Sequence, residues 1–166
     1  MSKKIVLLVA ATAAFATLIP IAAATPPDDV SMTIVETFNP TTGTVTASGG
    51  IFGSQTTGTS TGVYFRIDSF SFRTPEHFIV FSAANLVTTD AGSFLVVFEA
   101  SCQFITFDPE TGDGTAVCSG NWQVNGGTGA YERLQGTGTF TEPETTNVYN
   151  NTGGGTNTLV GYLHVR

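Results

Sequence analysis

Few side chains in this sequence are placed to do chemistry, and the best placed is a carboxylate. In Met32-Thr-Ile-Val-Glu-Thr-Phe38, strand alternation puts Met32, Ile34, Glu36 and Phe38 on one face and Thr33, Val35 and Thr37 on the other. If the Met/Ile/Phe face lines a lumen, Glu36 enters it. Burial there raises a carboxyl's pKa and suits it to act as an acid, a base or a ligand anchor. Its position near the strand end favours the plainer reading, in which Glu36 reaches solvent. A second polar set, Tyr64, Arg66 and Asp68, shares a face with Phe70 and Phe72. Arg66 and Asp68 either pair inside a barrel or decorate its exterior, and Val63, Phe65 and Ile67 on the opposite face favour the exterior. His164 and Tyr162 read as exterior too, with Leu163 and Val165 facing in.

Other chemistries find little support. A serine or threonine nucleophile needs an organised base, and only His77 and His164 exist. There is no Gly-x-Ser-x-Gly elbow, and an all-β chain lacks the strand-turn-helix context that elbow requires. Two histidines without cysteine or carboxylate partners at ligand spacing make no zinc site. Asp108, Glu110, Gly112 and Asp113 lack the alternating acidic ligands and terminal Glu of a calcium loop, so they read as a solvated turn. The corner Gly126-Gly-Thr-Gly-Ala-Tyr-Glu132 has neither the Gly-Lys-Ser/Thr ending of a phosphate loop nor a third small residue where a dinucleotide fingerprint needs one. No cofactor and no metal follow from these patterns.

The two cysteines define a hairpin. Cys102 and Cys118 flank Asp108-Pro-Glu-Thr-Gly-Asp-Gly114, and a turn about Glu110 sets them directly opposite each other. Opposed strand positions bring Cβ atoms within bridging reach. The same register sets Phe98 against Trp122 and Val96 against Val124, all on one apolar face. Both faces of Ser93–Phe107 are apolar near its start, with Phe94, Val96 and Phe98 on one side and Leu95 and Val97 on the other, so a cover from this chain or a second subunit is expected.

The elements that would carry these residues are strands. After Asp29 no helical period appears; short β-branched and aromatic runs alternate with Gly, Asn, Asp, Pro and Ser clusters. The pattern predicts strands at Met32–Phe38, Thr44–Gly50, Gly62–Phe72, His77–Val87, Ser93–Phe107, Thr115–Val124, Gly136–Thr141 and Asn157–Val165. It predicts flexible loops at Gln55–Thr61 and Thr145–Thr156, and a single helical turn within Thr128–Leu134. Eight strands with short links fit one antiparallel β-barrel, whose closure removes exposed edges. Glycines at 136 and 138 leave gaps on one strand face where a ring such as Tyr131 or Trp122 can lie.

The N-terminus reads as an export signal. Lys3 and Lys4 precede an apolar run from Ile5 to Ile21, and Ala22-Ala-Ala24 offers a cleavage site. The expected organisation is a signal peptide over 1–24, a polar leader over 25–30 and a β-barrel domain over 31–166, secreted or periplasmic. Removing Lys3 and Lys4 leaves Arg66, Arg73, Arg133 and Arg166 against thirteen acidic residues, a charge near −9. Nucleic acid and anionic membrane surfaces would meet net repulsion. An oxidising compartment also favours the Cys102–Cys118 disulfide.

At Gly126-Gly-Thr-Gly-Ala-Tyr131 followed by Leu134-Gln-Gly-Thr-Gly-Thr-Phe140, the chain resembles the allene oxide cyclase and dirigent barrel superfamily, of calycin-like shape. That resemblance implies an eight-stranded antiparallel barrel, often a trimer, with an apolar lumen for small lipid-like or phenolic molecules. Family members act as cyclases or guide radical coupling, but their polar lumen groups do not align onto this chain residue by residue. The expected role is therefore binding or steering a small apolar molecule, with Phe94, Phe98, Trp122, Glu36 and Arg66 as lumen candidates. The competing roles are a structural or surface barrel with a filled interior and, behind it, a cyclase or isomerase using Glu36.

Overall fold

The computed structural model describes residues 28–73 and 76–166. The expected signal peptide over 1–24 and residues 25–27 of the expected leader lie outside the described residues. Eight antiparallel strands, each paired with its sequence neighbours, close into a ring when β8 pairs with β1. They are β1 (Asp28–Phe38), β2 (Thr42–Ser48), β3 (Thr56–Arg73), β4 (Glu76–Thr89), β5 (Gly92–Phe107), β6 (Asp113–Gly127), β7 (Leu134–Asn147) and β8 (Thr152–Val165). Two 3-10 turns, Gly50–Phe52 and Gly129–Tyr131, complete the described elements. The second falls within the segment predicted to turn.

All strands but β2, which is Thr42–Ser48 and so starts and ends two residues early, are longer than the sequence pattern predicts. Segment 56–61 belongs to β3, and most of 145–156 belongs to β7 and β8. Their Thr, Gly and Asn content resembles a loop, yet threonine is β-branched and suits a pleated wall. Ladder bonds along closed neighbours then extend each strand further than its apolar core residues alone would.

β5 and β6 form the best-specified hairpin. Cys102 pairs with Cys118, Phe98 with Trp122 and Val96 with Val124, as the turn about Glu110 requires. Register shifts by one residue at each end, between Phe94 and Val96 and between Phe104 and Thr106. A disulfide joins Cys102 and Cys118, and all six paired side chains are buried inside the ring. On the outer face Leu95 and Val97 are partly exposed, and Leu95 lies opposite Leu86 of β4.

One end of the ring is solid. The Trp122 indole lies over Gly138 and Gly161, where a Cβ on either glycine would meet the ring at about 2.7 Å. From there Nε1 donates to the carbonyls of Thr139 (3.1 Å) and Val160 (3.2 Å). The gap at Gly136 takes Leu163 rather than an aromatic ring. Phe52 and Tyr131, one from each 3-10 turn, close the end over Phe94, with ring centroids 5.0–6.1 Å apart. The glycine corner is thus part of a plug.

Candidate functional site: a carboxyl-floored lumen

The opposite half of the ring is open. A cavity of about 380 Å³ runs in from the end where β1, β3, β5 and β7 finish. Its mouth is apolar: Val63, Phe65 and Ile67 of β3 face Ile79 and Phe81 of β4, and the Phe65 and Phe81 rings lie 5.3 Å apart. Phe98 and Phe140 pack edge-on at 5.1 Å and form the deep wall.

β3 reaches this mouth by breaking its own alternation. Its pairing with β4 slips between Gly62 and Tyr64 and again between Ile67 and Ser69. A bulge inserts a residue and flips the faces that follow. The second slip moves Phe70 and Phe72 to the face shared by Phe65 and Ile67, away from Tyr64, Arg66 and Asp68. This corrects the face assignment made from unbroken alternation.

Polar groups converge below the mouth. Glu36, near the end of β1, is only 8% exposed and reaches the lumen instead of solvent. Asn85 Nδ2 donates to its Oε2 at 2.9 Å and Asn157 Nδ2 to its Oε1 at 2.9 Å. Glu142 and Glu144 enter from β7, with Glu142 4% exposed. The Glu142 carboxyl fills space beside Gly155 that any side chain at that position would occupy. A side chain there would push the Glu142 carboxyl aside.

Sequence reasoning missed Glu142, Glu144, Asn85 and Asn157. The alternation Phe140-x-Glu142-x-Glu144 was the available signal, hidden by Pro143. A strand proline lacks the N–H a ladder needs. Here the β7–β8 pairing lapses at Glu142 and Pro143 and resumes at Glu144 in the same register. On the other side Pro143 still lies opposite Val117.

Among the described residues no basic side chain lines the cavity, so the three carboxyls share a low-dielectric space without a counter-charge. Burial is the main cause of a raised pKa in each. Glu36 is pushed up to about 7, with the Asn85 and Asn157 amides holding it back from rising further. Glu144 rises to about 7 through burial and then the charge of Glu36. Glu142 rises furthest, to about 9, through burial and then the charges of Glu36 and Glu144, with the Asn157 amide opposing the rise. At neutral pH Glu142 therefore holds its proton while Glu36 and Glu144 are near their midpoints.

Two buried acceptors in this floor, Glu142 Oε1 and Asn157 Oδ1, have no hydrogen-bond partner. Among the described residues one group of potential metal ligands converges, Glu144 with Cys102 and Cys118, within 4.8 Å of one another. Both sulfurs are already bridged, so neither is a thiolate ligand.

The remaining sequence-derived candidates divide clearly. Phe98 and Glu36 line the cavity, whereas Phe94 and Trp122 are buried in the solid end. Arg66 is not a lumen residue: it points outward and its side chain is 62% exposed. Its Nε donates to Asp68 Oδ1 at 2.7 Å, and Ser82 Oγ donates to Asp68 Oδ2 at 2.7 Å. At the tip of the β5–β6 hairpin, Asp108 Oδ1 accepts from the backbone N–H of Glu110, an Asx turn. No helix among the described residues is long and apolar enough to cross a membrane. The chain matches no protein-family model, no curated protein and no solved structure.

Proposed function

We propose that this protein is an exported, allene oxide cyclase-like barrel that binds a small, mostly apolar molecule in its open half. The observation that carries the reading is one cavity joining an aromatic mouth to a floor of three carboxyls and two amides. Ligand sites are mostly apolar with a few convergent polar groups that fix orientation, and their usual volumes begin near 300 Å³. An apolar body would displace water from Phe65, Ile67 and Phe81, while a polar end would reach Glu36, Glu142 and Asn157. The disulfide fits an oxidising compartment, which supports export.

A specific observation also favours a second reading, proton-transfer catalysis of the isomerase type. Carboxyls of one site held near 7 and near 9 can divide the roles of base and acid. Glu36 would accept a proton and Glu142 would donate one to the same bound molecule.

Native mass spectrometry of protein purified from its own host tests the binding reading. A co-purifying small molecule, lost when the mouth is blocked by Phe81→Glu, is the expected result. Protein that carries nothing and also fails to take up an environment-sensitive apolar dye would overturn it.

A further inference from the structure

Resting on the lumen-binding reading, we infer that the polar end of the ligand is a protonated amine, an alkylammonium seated among Glu36, Glu142, Glu144 and Asn157. The floor is rich in acceptors and poor in donors. Three carboxyls line it, and among the described residues no lysine, arginine or histidine lies beside them. Its amide donors, Asn85 Nδ2 and Asn157 Nδ2, both bond Glu36, and the Asn157 amide also helps hold the Glu142 pKa down. Glu142 Oε1 and Asn157 Oδ1 stay unpartnered, on side chains 4% and 3% exposed, and the proton Glu142 carries at neutral pH is the floor's one further donor, given up when a cation arrives. Burying an acceptor without a donor is costly, and the cost is recovered when a ligand brings one. An ammonium brings three N–H donors and the opposite charge.

The other ligand classes fit less well. A carboxylate or phosphate would face three acidic groups and no cation. A neutral alcohol supplies one donor where two acceptors wait and leaves the carboxyls uncompensated. A divalent ion needs its oxygens drawn to one point, and the three glutamates do not form such a group. A chain-borne ammonium spans a looser floor, and its hydrocarbon part occupies the mouth between Phe65 and Phe81. The chain's net charge of −7 draws cations toward the opening.

The titrating groups facing the ammonium are Glu36 from β1 and Glu142 and Glu144 from β7; Cys102 and Cys118 are bridged and do not titrate. Binding then follows a balanced proton exchange: the amine enters as R–NH3⁺, and the carboxyls that become its counter-ions release their protons to the buffer.

Calorimetry with three probes of one chain length, octylamine, octanol and octanoate, tests the inference on the wild-type protein. Octylamine should bind at least about tenfold tighter than octanol, octanoate should bind most weakly, and the amine's heat at pH 7 should differ between phosphate and Tris in the sense of proton release. Glu142→Gln should narrow the amine-over-alcohol ratio. Octanol or octanoate binding as tightly as octylamine would overturn the amine assignment and leave the lumen reading standing. Tighter amine binding without proton release would place the ammonium away from these carboxyls and equally overturn it. If none of the three binds, the lumen reading falls as well.

Discussion

The two halves of this ring are built from the same strands yet follow opposite rules. Along β1, Val30, Met32 and Ile34 enter a packed interior, and two residues later Glu36 enters a cavity. Along β8, Leu163 and Leu159 pack against neighbours, and then Asn157 and Gly155 open toward the carboxyls. In the closed half every polar atom of the Trp122 ring is satisfied and glycines let the ring sit flush on the wall. In the open half a glycine makes room for a carboxyl, and buried acceptors are left without partners. Stability is concentrated in one half and unspent bonding capacity in the other.

Substitutions should separate the two halves. Trp122→Ala removes the largest side chain of the closed half and should cost about 3–5 kcal/mol in denaturant unfolding. A loss near zero would mean that the closed half does not hold the barrel. Replacing Cys102 and Cys118 together by serine removes the cross-link between β5 and β6 at the border of the halves. For a loop with this separation of 16 the expected cost is about 3 kcal/mol, read in the same assay.

The acidic floor predicts an unusual pH dependence. A carboxyl whose folded pKa is raised takes up protons on folding, so its stabilising contribution is full below its unfolded value of 4.5. That contribution is lost as pH rises, through about 7 for Glu36 and Glu144 and about 9 for Glu142. Melting temperature should therefore fall by several degrees between pH 5 and pH 9, and Glu142→Gln should remove the largest share of that fall. A flat profile in the wild type would contradict a buried floor. The smallest effect is expected at the mouth. Phe65 is 57% exposed, so Phe65→Ala should cost less than about 1 kcal/mol in stability while weakening octylamine binding.

The β5–β6 hairpin was the most legible part of the molecule from sequence, for a physical reason. Its signals are local and redundant: the turn about Glu110, the cysteine spacing and strict alternation all fix one β5–β6 register. Glu36 could be placed on the correct face, but whether it reached solvent depended on how far β1 ran and what closed around it. The rest of the site is assembled across the barrel. Asn85 and Asn157 meet Glu36 over separations of 49 and 121 residues, and no local pattern encodes that. Pro143 obscures Glu142 and Glu144, and Arg66, a lumen candidate by sequence, lies outside because the β3 bulges reset the strand's faces. The bulges in β3, which decide which aromatic rings reach the mouth, leave no trace in the residue types.

The most direct test of an enclosed, acid-floored lumen is a carbon-detected NMR titration of glutamate side chains, assigned by single Glu→Gln variants. Glu142 should stay protonated through neutral pH with a midpoint about 9, while Glu36 and Glu144 should titrate about 7. Midpoints near 4.5 for all three would mean a solvated floor and would contradict an enclosed lumen.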